Sequence, residues 1–502
     1  MENKNSISNI NSDVLVIGAG NAAMCAALAA CESGAKVTVL EASSKKERGG
    51  NSTYTAGAMR VVFNGVEDLK KIMDLSDDEI SSTDFGTYTF ENYFDDMSEV
   101  TQFKADPDMV ETLVSKSHET LVWMRQKGIR FQPSYGRQAF KIDGTFKFWG
   151  GLAVEAWGGG PGLVDGLHMA ALSEGIEVQY GARAISLLTD NITGVVSGVR
   201  FQQNGKIIDW TGHAVVLACG GFESNSEWRT RYLGPGWDLA KVRGTRHNMG
   251  DGIKMALDIG AMPYGNWSGC HAVGWDQNAP PYGDLAVGDG FQKHSYPFSI
   301  MINANGKRFL DEGADFRNYT YAKYGRIILE QPGQFAWQVF DSKVKHLQRD
   351  EYRIKQVTRI EAQSINDLAK KMDGVDSAKF IETLEAFNSA VRKEVRFDPN
   401  IKDGRATSGL EIPKSNWANT IDEPPFEAFQ VTCGITFTFG GLKVDNLGRV
   451  LDVSGNPMKG LYAAGELLGG LFYFNYPGGT GLTSGAVFGR IAGTNAGAQN
   501  IS

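Results

Sequence analysis

Gly18-Ala19-Gly20-Asn21-Ala22-Ala23 joins an apolar strand-type run, Asp13–Ile17, to an Ala-rich helical stretch that lasts to Ser33-Gly34. That spacing suits the binding of a pyrophosphate. Gly18 permits the tight turn, Gly20 lets a helix N-terminus approach the phosphates, and Ala23 is small enough for close helix–strand packing. A second strand-type run, Lys36–Leu40, ends in Glu41, whose carboxylate suits ribose hydroxyls and selects against a 2′-phosphate. Two glycines alone say little; with both strands, the helix and the acid in order they predict a dinucleotide site. A tight strand–helix turn without a ligand would leave Glu41 unexplained. Gly18, Gly20, Asn21, Ala22 and Glu41 are the contacts this predicts.

A second glycine turn, Arg48-Gly49-Gly50-Asn51-Ser52-Thr53, follows at once. A nicotinamide domain has no need of it, whereas the ribityl chain and pyrophosphate of FAD would use its backbone N–H groups. Gly49, Gly50, Asn51, Ser52 and Gly57 are assigned to FAD on this ground. No histidine lies in Asn51–Arg60, so attachment is expected to be non-covalent. At the far end, Gly460–Glu466 reads as a strand closing on a glycine turn. The loop Phe472–Gly481 then feeds a small-residue helix from about Leu482 to Ala498. Its positive N-terminal end, set beside the pyrimidine edge of the ring, would stabilise an anionic reduced flavin. Gly465, Glu466, Gly481 and Leu482 join the cofactor set. So do Ala218 and Gly220, at the end of the buried-strand run His213–Gly221, and Asp251, a cap-type residue opening a helix over Ile253–Ile259.

Two distant stretches therefore converge on one cofactor, and what lies between must cap it. The expected architecture is α/β with an α+β cap. A Rossmann-like FAD-binding part is formed by residues 1–265 and 435–502, and 266–434 are inserted as a substrate cap. Val195–Trp210 predicts a three-stranded insert on the nucleotide part, and Lys343–Lys371 predicts charged solvated helices. The 502 residues suit two such parts, and 61 glycines suit many cofactor-facing turns. A net charge of −8 without basic clusters argues against nucleic acid as the partner. The polar N-terminus MENKNSISNINS and the lack of long apolar runs predict a cytoplasmic protein with no membrane span. Five cysteines, with no C-x-x-C pair, predict no metal or iron–sulfur site, and Cys25 and Cys31 read as small core residues.

Gly49-Gly50-Asn51-Ser52, Asn248-Met249-Gly250-Asp251-Gly252, Asn305-Gly306-Lys307-Arg308-Phe309 and Ala463-Ala464-Gly465-Glu466, with the first turn and Glu41, resemble the flavoproteins of the fumarate reductase and succinate dehydrogenase family over essentially the whole chain. Gly269-Cys270-His271-Ala272 and Asp315-Phe316-Arg317-Asn318-Tyr319 look most like its tricarballylate dehydrogenase-type members. The resemblance implies a two-lobed FAD domain with an inserted cap and an active site between them. It makes Arg317 the proton-transfer group and His271 a contact to a substrate carboxylate. A second carboxylate-binding histidine of the family falls at Phe437 and its second arginine at Tyr476, which removes the strongest carboxylate clamp. Tyr476-Pro477-Gly478-Gly479-Thr480 resembles instead the loop of the 3-ketosteroid dehydrogenases, where a tyrosine hydroxyl and a backbone N–H polarise a ketone.

The implied chemistry is the addition or removal of two hydrogens across a C–C bond next to a carbonyl or carboxylate. One carbon exchanges a proton with a side chain and its neighbour exchanges a hydride with the flavin. Tyr476 and the Gly479–Gly481 amides are the candidates for stabilising enolate-like charge. Arg317, whose solution pKa is above about 12, needs relay partners, with Tyr319, Asp315 or Glu312 nearest in sequence. The plainer alternative is a surface arginine paired to Asp315. Tyr319 and Tyr296 are alternative acid/base groups. His271, in a loop of small residues, is either a site residue or a satisfied core histidine, and Arg243 and Arg246 are either structural or substrate-side. Three functions remain: a dehydrogenase or reductase of a small carboxylate, a desaturase of a cyclic ketone, and a flavin electron-transfer subunit. An unidentified electron donor or acceptor completes each.

Overall fold

The computed structural model describes residues 12–499, so the polar segment through residue 11 lies outside the described residues. The strands that matter for the site are β1 (Val14–Ile17), β2 (Val37–Glu41), β3 (Ala214–Leu217), β4 (Pro263–Asp276), β5 (Phe426–Leu442) and β6 (Pro457–Ala463). Helix α1 (Asn21–Glu32) follows β1, and α2 (Thr480–Ala498) comes last.

One six-stranded sheet has the order Arg449–Leu451, β6, β3, β1, β2, Glu177–Tyr180. Its neighbours are parallel except at Arg449–Leu451. Every residue of β1, β2 and β3 is buried, as parallel strands covered on both faces require, which is why they read as unbroken apolar runs. The mixed α/β, Rossmann-like architecture read from the sequence is the one observed. Arg183–Thr189, Val196–Gln203 and Lys206–Thr211 form the three-stranded antiparallel insert, which begins earlier than Val195.

The third sheet is organised on β5, a strand of 17 residues. It pairs antiparallel with β4, Ala336–Phe340 and Arg359–Ala362, and parallel with Lys241–Val242. Pro263–Asn266 of β4 pair with Phe439–Leu442, and after a register shift Cys270–Asp276 pair with Val431–Thr438. The boundaries expected at 265/266 and 434/435 thus lie inside continuous strands. His271 is a strand residue and not part of a loop. Lys343–Lys371 also differs from expectation: two short 3₁₀ turns and the strand Arg359–Ala362 precede its single helix, Ile365–Lys371. The charged residues of that strand are those of a sheet edge, with Arg359 bound to Glu427 on β5, and they mimic a solvated helix in sequence. No described helix is long and apolar enough to cross a membrane.

Candidate active site

One cavity runs from Glu41, at the end of β2, past the Gly18–Gly20 turn to His271 and Tyr476. The backbone builds its first half. Gly18 has φ +102°, and a Cβ there would stand 2.5 Å from the Ala218 carbonyl just after β3. Gly20 opens α1 without a side-chain cap of its own, so the Ala22 amide of the first turn, on the cavity wall, is left for an anion. Glu41 accepts the Ala19 amide on one oxygen at 2.9 Å and the Ser43 amide on the other at 2.7 Å. Each oxygen keeps a lone pair for a hydroxyl. Asn21 ties the chain ends together: its amide donates to Ser52 Oγ at 3.0 Å and its side chain to the Leu482 carbonyl at 2.7 Å. Asn51 Nδ2 donates to the Thr436 carbonyl of β5 at 2.6 Å and to Glu223 Oε1 at 2.7 Å.

Glu223, fully buried, and Glu466, half-buried, are neighbouring carboxyls beside this floor. Burial and the neighbouring Glu466 hold Glu223 well above the usual carboxylate range, and burial raises Glu466 too. Two neighbouring carboxyls resist ionising together, so the pair holds a proton between them. Glu223 Oε1 meanwhile accepts from Asn248 Nδ2 at 2.5 Å, and Glu466 Oε1 accepts the Thr438 amide at 2.8 Å.

Side chains build the far half. His271 lies between rings: Phe437 stacks on it at 5.2 Å, while Tyr321 at 4.9 Å and Tyr476 at 4.8 Å meet it edge-on. It is 1% exposed, and neither ring nitrogen has a hydrogen-bond partner among the described residues. Burial, then the charge of Arg243, push its pKa well below that of a free histidine, so the ring is neutral. The Tyr321 and Tyr476 hydroxyls share a hydrogen bond of 2.7 Å, and burial raises the pKa of both. The Gly479 amide donates to the Tyr476 hydroxyl at 3.3 Å. Arg317 lines the same wall, with Nη1 3.3 Å from His294 Nδ1.

The chain matches the model of the FAD binding domain family over residues 13–482. It belongs to that family. It is 28% identical to a probable fumarate reductase of Shewanella frigidimarina over 96% of this chain and 74% of that protein. It is likewise 28% identical to a 4-oxocyclohexanecarboxylate 2-dehydrogenase of Sinomonas cyclohexanicum, over 97% and 93%. Its fold superposes on the open conformation of a flavocytochrome c3 fumarate reductase with a TM-score of 0.72 and 25% identity, covering 98% of this chain and 79% of that one. The protein is an FAD-dependent oxidoreductase of CH–CH groups. The cavity fits FAD on its own evidence: a Cβ at Gly18 would close the turn, and the Ala22 amide of uncapped α1 lies on its wall.

All but one of the residues assigned to FAD line the cavity of this flavoprotein. Gly57 does not: it faces the helix Gly159–Ser173, where a Cβ would stand 2.8 Å from the Gly159 backbone. Asp251 lines the cavity but caps nothing. It is the first residue of its helix, Gly250 holds the cap position, and Arg183 binds its carboxylate at 2.7 and 2.9 Å. Arg317, His271 and Tyr476 come together as expected, whereas Tyr319 and Tyr296 stay outside. The Tyr319 hydroxyl donates to Asp96 at 2.7 Å, and that of Tyr296 bonds to Thr320 at 2.6 Å inside the core. The expected relay partners of Arg317 are engaged elsewhere: Glu312 binds Arg308, and Asp315 binds Lys402 and the Phe316 amide. His294 takes that place. Of the loop amides, Gly479 serves Tyr476 and Thr480 serves the Pro477 carbonyl, which leaves Gly481 in the first turn of α2.

Sequence reasoning missed Tyr321, Asp289, Glu223 and Arg60, gave His294 no role although it stands in the polar segment His294-Ser295-Tyr296, and left Arg243 undecided. Arg60 is fully buried; its Nε donates to the Gly478 carbonyl at 2.9 Å and its amide to Gly479 at 3.1 Å, which fixes the Tyr476 loop. Arg246 lies over Tyr282, outside the cavity. Glu223 stands two residues after Gly221, with Phe222 between, whereas Glu466 directly follows Gly465, so the nearby glycine pair is only a weak signal for it. The others carry no local pattern.

Proposed function

We propose that this flavoprotein adds or removes two hydrogens across the C–C bond of a small carboxylic acid, of the tricarballylate type, with FAD held non-covalently and residues 266–434 capping the site. The observation that carries this reading is the meeting of Arg317, Arg243, His271 and Tyr476 at one end of a cavity whose other end is a dinucleotide cradle. FAD, when bound, supplies the hydride chemistry. Tyr476, with the Gly481 amide, donates to the substrate oxygen on which negative charge develops. Its hydroxyl is oriented by Tyr321 and by the Gly479 N–H. Arg317 moves the proton at the adjacent carbon, and His294 Nδ1 lies in reach to exchange it. His271, neutral, offers one N–H to the acid.

A second reading is favoured by the Tyr321–Tyr476 pair, which suits a ketone oxygen as well as a carboxylate: desaturation of a cyclic ketone beside its carbonyl. The relative from Sinomonas acts, by its name, on a molecule bearing both groups. Anaerobic mixing of the yellow holoenzyme with tricarballylate, succinate and cyclohexanone in turn tests the choice. Bleaching of the flavin by an acid supports the first reading, and bleaching by the ketone alone supports the second. A flavin that no compound bleaches without a partner chain leaves an electron-transfer subunit.

A further inference from the structure

We propose that Arg243 is the residue that anchors the substrate's carboxylate, rebuilding from another part of the chain the clamp absent at Tyr476. The inference rests on the carboxylic-acid reading above. Arg243 follows the short strand Lys241–Val242 on the edge of β5, and its amide donates to the Ile435 carbonyl at 2.8 Å. That places it across β5 from His271, which pairs with Phe437 on the other side of the strand. The side chain is 8% exposed and lines the cavity.

The guanidinium is fixed along one edge. Nε and Nη2 lie 2.8 and 2.6 Å from the same oxygen of Asp289, and Nη1 donates to Thr436 Oγ1 at 3.2 Å. These contacts use three of the five N–H groups a guanidinium carries, and the remaining two are held in a defined plane. The neutral His271 ring lines the same cavity, close enough for the charge of Arg243 to lower its pKa, and has no acceptor for its N–H among the described residues. A buried donor left in that state is costly, and a ligand oxygen relieves it. One carboxylate meets both requirements, one oxygen for Arg243 and one for His271. Because Asp289 offsets the charge of Arg243, this corner selects by the geometry of its donors more than by net attraction.

Holoenzyme is titrated with two probes that do not turn over, malonate and cyclohexanone-oxime, followed by perturbation of the visible flavin spectrum. In Arg243→Gln the Kd for malonate should rise about 10- to 100-fold, the value of a charged hydrogen bond, while that for the oxime stays unchanged. The double variant Arg243→Gln/Asp289→Asn, which leaves no buried carboxylate without its cation, should show the same selective loss and guards against misfolding of the single one. In turnover of an acid the loss should appear in KM with kcat nearly kept, a split that a purely structural role of Arg243 does not produce. An unchanged malonate Kd in both variants, or equal weakening of both probes, overturns the anchor. Wild-type enzyme that responds only to the oxime overturns the anchor and leaves the C–C chemistry standing. A response to neither probe overturns the anchor and, with it, the carboxylic-acid reading.

Discussion

The two ends of the cavity are made of different materials. At the cofactor end the contacts are turns, helix N-termini and backbone amides, with Glu41 and Asn21 as the main side chains. At the substrate end they are rings, hydroxyls and guanidinia brought from β4, β5, the Arg317–Tyr321 segment and the Tyr476 loop. A backbone site tolerates almost any residue that permits the path of the chain, so it persists while substrates change. A side-chain site is re-specified one residue at a time. The names of the relatives include both a fumarate reductase and a dehydrogenase of a cyclic keto acid.

The sharpest way to separate the two ends is Arg317→Gln. Turnover should fall by about 10²- to 10⁴-fold, the usual worth of a positioned proton-transfer group, while bound FAD and its visible spectrum persist. Steady-state kinetics alongside flavin content check it, and loss of flavin would mean that the two ends are not independent. The converse is Gly18→Ala. A Cβ at 2.5 Å from the Ala218 carbonyl overpacks the turn at a cost of about 1–3 kcal/mol, so FAD affinity should fall by about 10- to 100-fold. Fluorescence titration of apoprotein with FAD measures it.

Glu223→Gln acts between the ends. The native pair of Glu223 and Glu466 holds a proton that the unfolded chain releases above the ordinary carboxylate range, so stability is full below that range and falls as pH rises toward the raised native pKa. The slope is about 1.4 kcal/mol per pH unit within that window. An amide keeps the donor and cannot ionise, so the melting temperature of the variant should lose this alkaline decline. Parallel declines in variant and wild type would place the proton elsewhere. The smallest effect on the cofactor is expected of Gly57→Ala: φ +78° and a Cβ 2.8 Å from the Gly159 backbone cost about 1–3 kcal/mol of stability, yet FAD affinity should not change because the residue faces Gly159. A weakened FAD complex would return Gly57 to the cofactor set.

The same contrast explains what was legible in the sequence. Gly18, Gly20, Glu41, Gly49 and Gly465 belong to contiguous patterns, because a turn and the helix after it are neighbours in the chain. Tyr321 stands two residues after Tyr319 and is equally aromatic, and only the fold shows that one hydroxyl faces the cavity and the other Asp96. His294 and Asp289 have no motif, since their partners Arg317 and Arg243 lie more than twenty residues away. Arg359–Ala362 was misread for a related reason: charges that protect a sheet edge look like charges on a solvated helix.

Helices α1 and α2 meet backbone to backbone. Added Cβ atoms at Gly489, Gly493 and Gly497 would stand 2.4, 2.1 and 2.8 Å from the carbonyls of Ala22, Ala26 and Ala30. The helix behind the first glycine turn is thus seated by a segment 461 residues on, measured from Asn21 to its partner Leu482. Cutting α2 away should therefore empty the cradle at the opposite end of the sequence, costing the protein its cofactor and not merely part of its rate.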